Sequence, residues 1–169
     1  AGRVEDTFNL IDHTLELLVS CAARIRMTTE AHILTEAGTQ LIGKSSVKAA
    51  LDIDWSVEAE KQNAINTLLK DVSQLQQWLS TQPSTVTEHK ELKACLTLLE
   101  TVLSQNIEPD PDGGGKITQG VAEDRLISIH DDSMRHGRKS SSRTINGFKQ
   151  HIAVDMDTKL ILATCVRPA

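Results

Sequence analysis

The sequence contains no tyrosine and only four aromatic residues, Phe8, Trp55, Trp78 and Phe148, in a chain of 169. A ring-rich core is excluded, so any interior must come from Leu, Ile, Val and Ala, which the 39% hydrophobic content supplies. Long apolar runs are also missing. No window reaches the ~18 consecutive apolar residues of a membrane span, and the opening stretch Ala1–Leu10 lacks an apolar signal core, so a soluble protein is expected. Cysteine is scarce: Cys21, Cys95 and Cys165 stand 74 and 70 residues apart. That spacing fits neither a disulfide framework nor a CxxC metal or redox site, and it points to a reducing cytoplasm. The missing initiator Met and the ending Cys165-Val-Arg-Pro-Ala169 lead us to expect an excerpt of a longer chain.

Charge is present in quantity but unevenly placed. The total of 23 acids and 18 bases gives −5, yet residues 1–110 carry −7 and residues 111–169 carry +2. Within 125–149 six bases, Arg125, Arg135, Arg138, Lys139, Arg143 and Lys149, face only Asp131 and Asp132. A local basic segment is hidden by the global acidity.

Apolar spacing of three or four predicts a helix from Val4 to Met27, through Phe8, Ile11, Leu15, Leu18, Val19, Ala22 and Ile25. A second helix is expected from Thr29, as cap, to Ile42, with Gly43 as the stop, and a short turn over Ser46–Leu51. Ser56 to Ser80 is the clearest element, with Ser56 as cap and Ala64, Leu68, Val72, Leu75 and Leu79 on one face. After Pro83, Thr85-Val-Thr-Glu88 has the form of a capping box that opens a helix through Leu92, Cys95, Leu96, Leu99, Val102 and Leu103.

Glu108-Pro-Asp-Pro-Asp-Gly-Gly-Gly115 breaks the helical pattern, because two prolines and three glycines favour turns, and residues 108–120 are expected to be a linker. Beyond it, Leu126–Ile129 is a strand candidate. Residues 148–166 alternate as a β-hairpin about Asp157-Thr158, with Phe148, Ile152, Val154 and Met156 on one face and Lys149, His151, Ala153 and Asp155 on the other.

Among chemical candidates, His130, Asp131, Asp132, Asp155 and Asp157 are ligand types for a divalent metal, which would make a small hydrolase. Turn-forming roles for these aspartates outweigh that reading. His13, His32 and His89 are isolated on helices, and Gly113-Gly-Gly-Lys116 lacks the context of a phosphate loop. Met134–Arg143 is different: its bases, hydroxyls and glycine, without any acid, describe a flexible cationic loop suited to phosphate oxygens.

Three stretches, Gln119–Ser140 with Met134-Arg-His-Gly-Arg-Lys-Ser140, Asn146-Gly-Phe-Lys-Gln-His-Ile-Ala-Val-Asp155, and Leu160–Ala169, together resemble the DDE transposases of bacterial insertion sequences. Phe148 replaces that family's usual Tyr, and Asp132 stands where Pro is common. The resemblance implies that 148–166 are the second and third antiparallel strands of an RNase H-like sheet, with the helices inserted between the first strand and the second. It implies Mg²⁺-dependent strand cleavage and transfer by the parent, but it places the three catalytic acids outside this chain and Asp155 on a non-catalytic strand. No catalytic or metal residue is expected here. DNA is the implied partner, through Arg135, His136, Arg138, Lys139, Arg143 and Lys149.

The expected architecture is mainly α with a small β part: a helical insertion over 1–107, a linker over 108–120 and a partial RNase H-like domain over 121–169. The alternative is a non-enzymatic helical interaction module with a β-hairpin appendage.

Overall fold

The computed structural model describes residues 5–44, 47–120, 124–131, 133–140 and 143–169. The expected positions Val4, Ser46 and Asp132 lie outside these. Helix dominates, and the described strands form two small antiparallel sheets. The chain divides into two units, Thr7–Gln119 and a discontinuous one made of Ala1–Asp6 with Gly120–Ala169. Among the described residues no helix is long and apolar enough to cross a membrane.

The helical unit begins with α1 (Thr7–Arg26), whose stripe of Leu10, Ile11, Leu15, Leu18, Val19 and Ala22 is buried. Helix α2 (Glu30–Ala37) starts at Thr29, whose hydroxyl accepts the His32 amide at 3.2 Å. It stops earlier than the sequence implies. Gly38 takes a left-handed φ of +73° and its amide donates to the Leu34 carbonyl at 3.0 Å, so Gly38, not Gly43, ends the helix. The freed segment 40–42 is held by the buried Asp71 carboxylate, which accepts the Gln40, Leu41 and Ile42 amides at 2.7–3.3 Å.

After α3 (Val47–Leu51) comes α4 (Glu58–Ser80), which buries Ala64, Ile65, Leu68, Val72, Leu75 and Leu79. Ser56 is not its cap: the Ser56 amide and hydroxyl both donate to Asp54 Oδ1, at 2.8 and 2.6 Å, and Val57 fills the cap position. The expected capping box also fails. Residues Ser84–Thr87 are themselves a helical turn, α5, with the Glu88 amide donating to the Ser84 carbonyl, so α6 (Lys90–Asn106) starts behind His89 instead. Helix α1 packs chiefly along α6, and a buried hydrogen bond from Thr7 to Asn106 Oδ1, 3.2 Å, joins the start of one to the end of the other.

Residues 108–120 are no free linker. Strands β1 (Ile107–Pro109) and β2 (Gly115–Ile117) form an antiparallel hairpin against α4, with Gly113 and Gly114 turning at φ of +101° and +83°. Two α4 side chains hold it, Asn66 Oδ1 accepting the Gly115 amide at 3.1 Å and Gln62 Nε2 donating to the Gly115 carbonyl at 2.6 Å. The prolines and glycines shape a turn, and the helix supplies its anchorage.

In the second unit, Leu126–Ile129 is not a strand. Leu126, Ile127 and Ser128 are buried, but one ladder-like bond, from the Glu5 amide to the Ile127 carbonyl at 2.9 Å, is followed by a side-chain bond from the Ile129 amide to Glu5 Oε2 at 3.0 Å. Strands β3 (Arg135–Ser140), β4 (Arg143–Val154) and β5 (Ile161–Pro168) form an antiparallel sheet in chain order. Strand β4 changes partner at Gly147, whose φ is +115°: residues 143–147 pair with β3, and 148–154 with β5.

Candidate nucleic-acid interface

The basic segment expected to be a flexible loop is strand β3. Its Arg-His-Gly-Arg-Lys-Ser sequence has no apolar alternation, because it gains order from backbone pairing with β4 rather than from a buried face. The register sets Arg135 opposite Gly147, His136 opposite Asn146 and Arg138 opposite Thr144, and a bulge follows before Ser140 meets Arg143.

The six residues expected to touch DNA fall at different places in this sheet. Arg135 is half-buried and partly engaged, its Nη1 donating to the Met134 carbonyl at 2.9 Å and its Nε lying 3.9 Å from Asp124. His136 Nδ1 hydrogen-bonds Asn146 Oδ1 across the strands. The side chains of Arg138 and Lys139 lie outside the described ones, so only their strand positions are fixed. Arg143 is exposed where β4 begins. Lys149 stands further along, on the part of β4 that pairs with β5.

That second pairing gives the sheet two faces. Lys149 opposes Arg167 and His151 opposes Cys165, so these four share one face, while Phe148, Gln150, Ile152 and Val166 occupy the other. Two cations directly opposite each other repel, and such a pair favours an anion between or above them. Arg167 and His151 were not among the sequence candidates. Counting outward from the 155–159 turn would pair 149 with 165; the observed ladder, with its register shift between Ala153 and Val154, moves the partner to Arg167, so a lone Arg in an apolar run gives no signal without that pairing.

The candidate metal aspartates are used locally. Asp131 Oδ1 accepts the Ser133 amide and hydroxyl, at 3.2 and 2.6 Å. Asp155 accepts the Thr158 hydroxyl at 2.6 Å and the Asp157 amide at 3.0 Å. Those two bonds, the hydroxyl first, hold its carboxyl below the usual carboxylate range. Among the described residues Asp131, Asp155 and Asp157 join no group of three metal-ligating side chains.

No protein-family model matches the chain, and no solved structure matches it. The chain is 28% identical over 128 residues to a polyribonucleotide nucleotidyltransferase of Synechococcus sp. (strain CC9902). The alignment takes in 72% of this chain but only 18% of that protein, so the chain spans less than a fifth of that relative's length.

Proposed function

We propose that the chain is the part of a DDE transposase between its first and second catalytic acids, and that it holds transposon DNA through the basic face of its sheet. The observation that carries this reading is the discontinuous unit. Ala1–Asp6 and Gly120–Ala169 belong together while the helices of Thr7–Gln119 stand between them in sequence, as an insertion into an RNase H-like sheet requires. Among the described residues, β4 from Phe148 to Val154 pairs only with β5, which leaves its other edge available for a further strand.

Mg²⁺ belongs to the parent on this reading. Asp131 and Asp155 are committed to their own turns, and neither they nor Asp157 join a group of metal-ligating side chains among the described residues, so no cleavage step is derived for this chain. Its task is to position a phosphate backbone, with Lys149, Arg167 and Arg143 offering cations and little sequence discrimination. The partial likeness to a polyribonucleotide nucleotidyltransferase makes RNA the competing ligand.

The test is duplex DNA binding by the full chain at about 50 and about 200 mM salt, beside single-stranded RNA. Affinity for the duplex should fall steeply between the two, and Lys149→Ala with Arg167→Ala should flatten the log–log salt slope by about 1 for each phosphate-bound cation removed. Salt-insensitive behaviour, or equal binding by the doubly substituted chain, overturns the reading. Tighter binding of RNA than of duplex transfers it to the competing ligand.

A further inference from the structure

Cys21 and Cys95 are 74 residues apart in sequence, on α1 and α6, yet the packing of those helices brings both to the wall of one pocket, near enough that Cys21 helps raise the Cys95 thiol. Neither is oxidised; Cys21 is buried and Cys95 half-buried. The pair is framed by charge. Arg24, one turn beyond Cys21, donates to its sulfur at 3.9 Å and forms an ion pair with Glu91, one turn before Cys95. An open pocket of about 420 Å³ lies over the pair, lined by Leu17, Cys21, Arg24, Glu91 and Cys95, wide enough to admit a small oxidant.

We propose that Cys21 and Cys95 are a reversible dithiol switch, closed to a disulfide between α1 and α6 by a low-molecular-weight disulfide such as oxidised glutathione. The half-exposed Cys95 thiolate attacks one sulfur of the oxidant and expels one glutathione thiolate. Cys21, whose sulfur lies beside the Arg24 guanidinium, then gives up its proton, attacks the Cys95 sulfur of the mixed disulfide and expels the second. Two thiols are oxidised, one disulfide is reduced to two glutathione molecules, and the two cysteine protons pass through solvent to the leaving thiolates.

Burial and the adjoining Cys21 push the Cys95 thiol up to about 11, with Arg24 opposing and Glu91 adding to the rise. The first attack is therefore slow near neutrality and quickens with pH. The bond would staple the first long helix of the unit to its last. Closing so long a loop restricts the unfolded chain strongly. This inference is independent of the nucleic-acid reading, because it rests wholly within the helical unit.

The experiment uses the full chain carrying Cys165→Ser, which removes the exposed third thiol, incubated with oxidised glutathione at about pH 8. The intact mass should fall by two hydrogen atoms, and digestion should yield one peptide pair joined through Cys21 and Cys95. Melting should rise by at least about 5 °C and return on reduction with dithiothreitol. Cys21→Ala in the same background should stop at a single glutathione adduct on Cys95. Two separate adducts without loss of mass, thiols that both remain open to alkylation, or a bridge that leaves melting unchanged would each overturn the proposal.

Discussion

The two units treat their apolar residues in opposite ways. In the helical unit Leu15, Leu18, Leu68, Leu75 and Leu99 are fully buried, whereas in the sheet unit Ile152, Ile161, Leu162 and Val166 are 51–69% exposed. Both patterns come from apolar residues at regular spacing. A helix stripe can be closed by other helices of the same unit, but a two-faced hairpin cannot fold over itself, and a further layer is needed to cover it. Regular spacing thus reports a face that wants burial without saying whether this chain supplies the cover.

The largest expected effect probes that contrast directly. Leu15→Ala should lower stability by about 2–5 kcal/mol in urea unfolding, while Ile161→Thr should change it by less than about 0.5 kcal/mol. Comparable losses at both positions would erase the distinction between the units. Next comes the buried anchor of the helical unit: Asp71→Ala strands three backbone amides and should cost about 2–3 kcal/mol, read as a lower denaturation midpoint at constant slope.

The smallest effect depends on pH. Burial, with Glu16 adding and His13 opposing, pushes the Asp12 carboxyl from 3.8 to about 6, although it accepts the Val47 amide. A raised carboxyl means that the folded state disfavours the ionised form. The penalty is absent below the unfolded value near 4, grows as pH rises towards 6, and is complete above that. Asp12→Asn should therefore gain about 1–2 kcal/mol at pH 7.5 and lose that gain near pH 4. A gain that does not vary with pH would mean that packing, not ionisation, governs the site.

Helices α1, α4 and α6 were legible because each carries a stripe that stays in phase over four turns or more. Their ends were less so. Ser56 and Thr85 are good capping residues by type, but Asp54 recruits the first and a local helical turn absorbs the second. Strand β3 was invisible to periodicity because its order comes from backbone pairing, and the hairpin at 107–117 because its anchors, Gln62 and Asn66, lie about fifty residues earlier. Of the basic residues, Arg167 needed the register of the β4–β5 pair to be seen beside Lys149. The cysteine pair needed two helices to meet, which spacing along the chain does not encode.

The bond from Thr7 to Asn106 spans 99 positions, and the helix it closes upon is the last of its unit to be synthesised. At about 5–20 residues per second, the stretch 27–106 occupies the ribosome for roughly 4–16 s. Throughout that interval α1 carries Leu10, Ile11, Leu15 and Leu18 without its principal partner. The most buried helix of the mature unit is thus the one longest open to chaperones and to misassociation during its own synthesis.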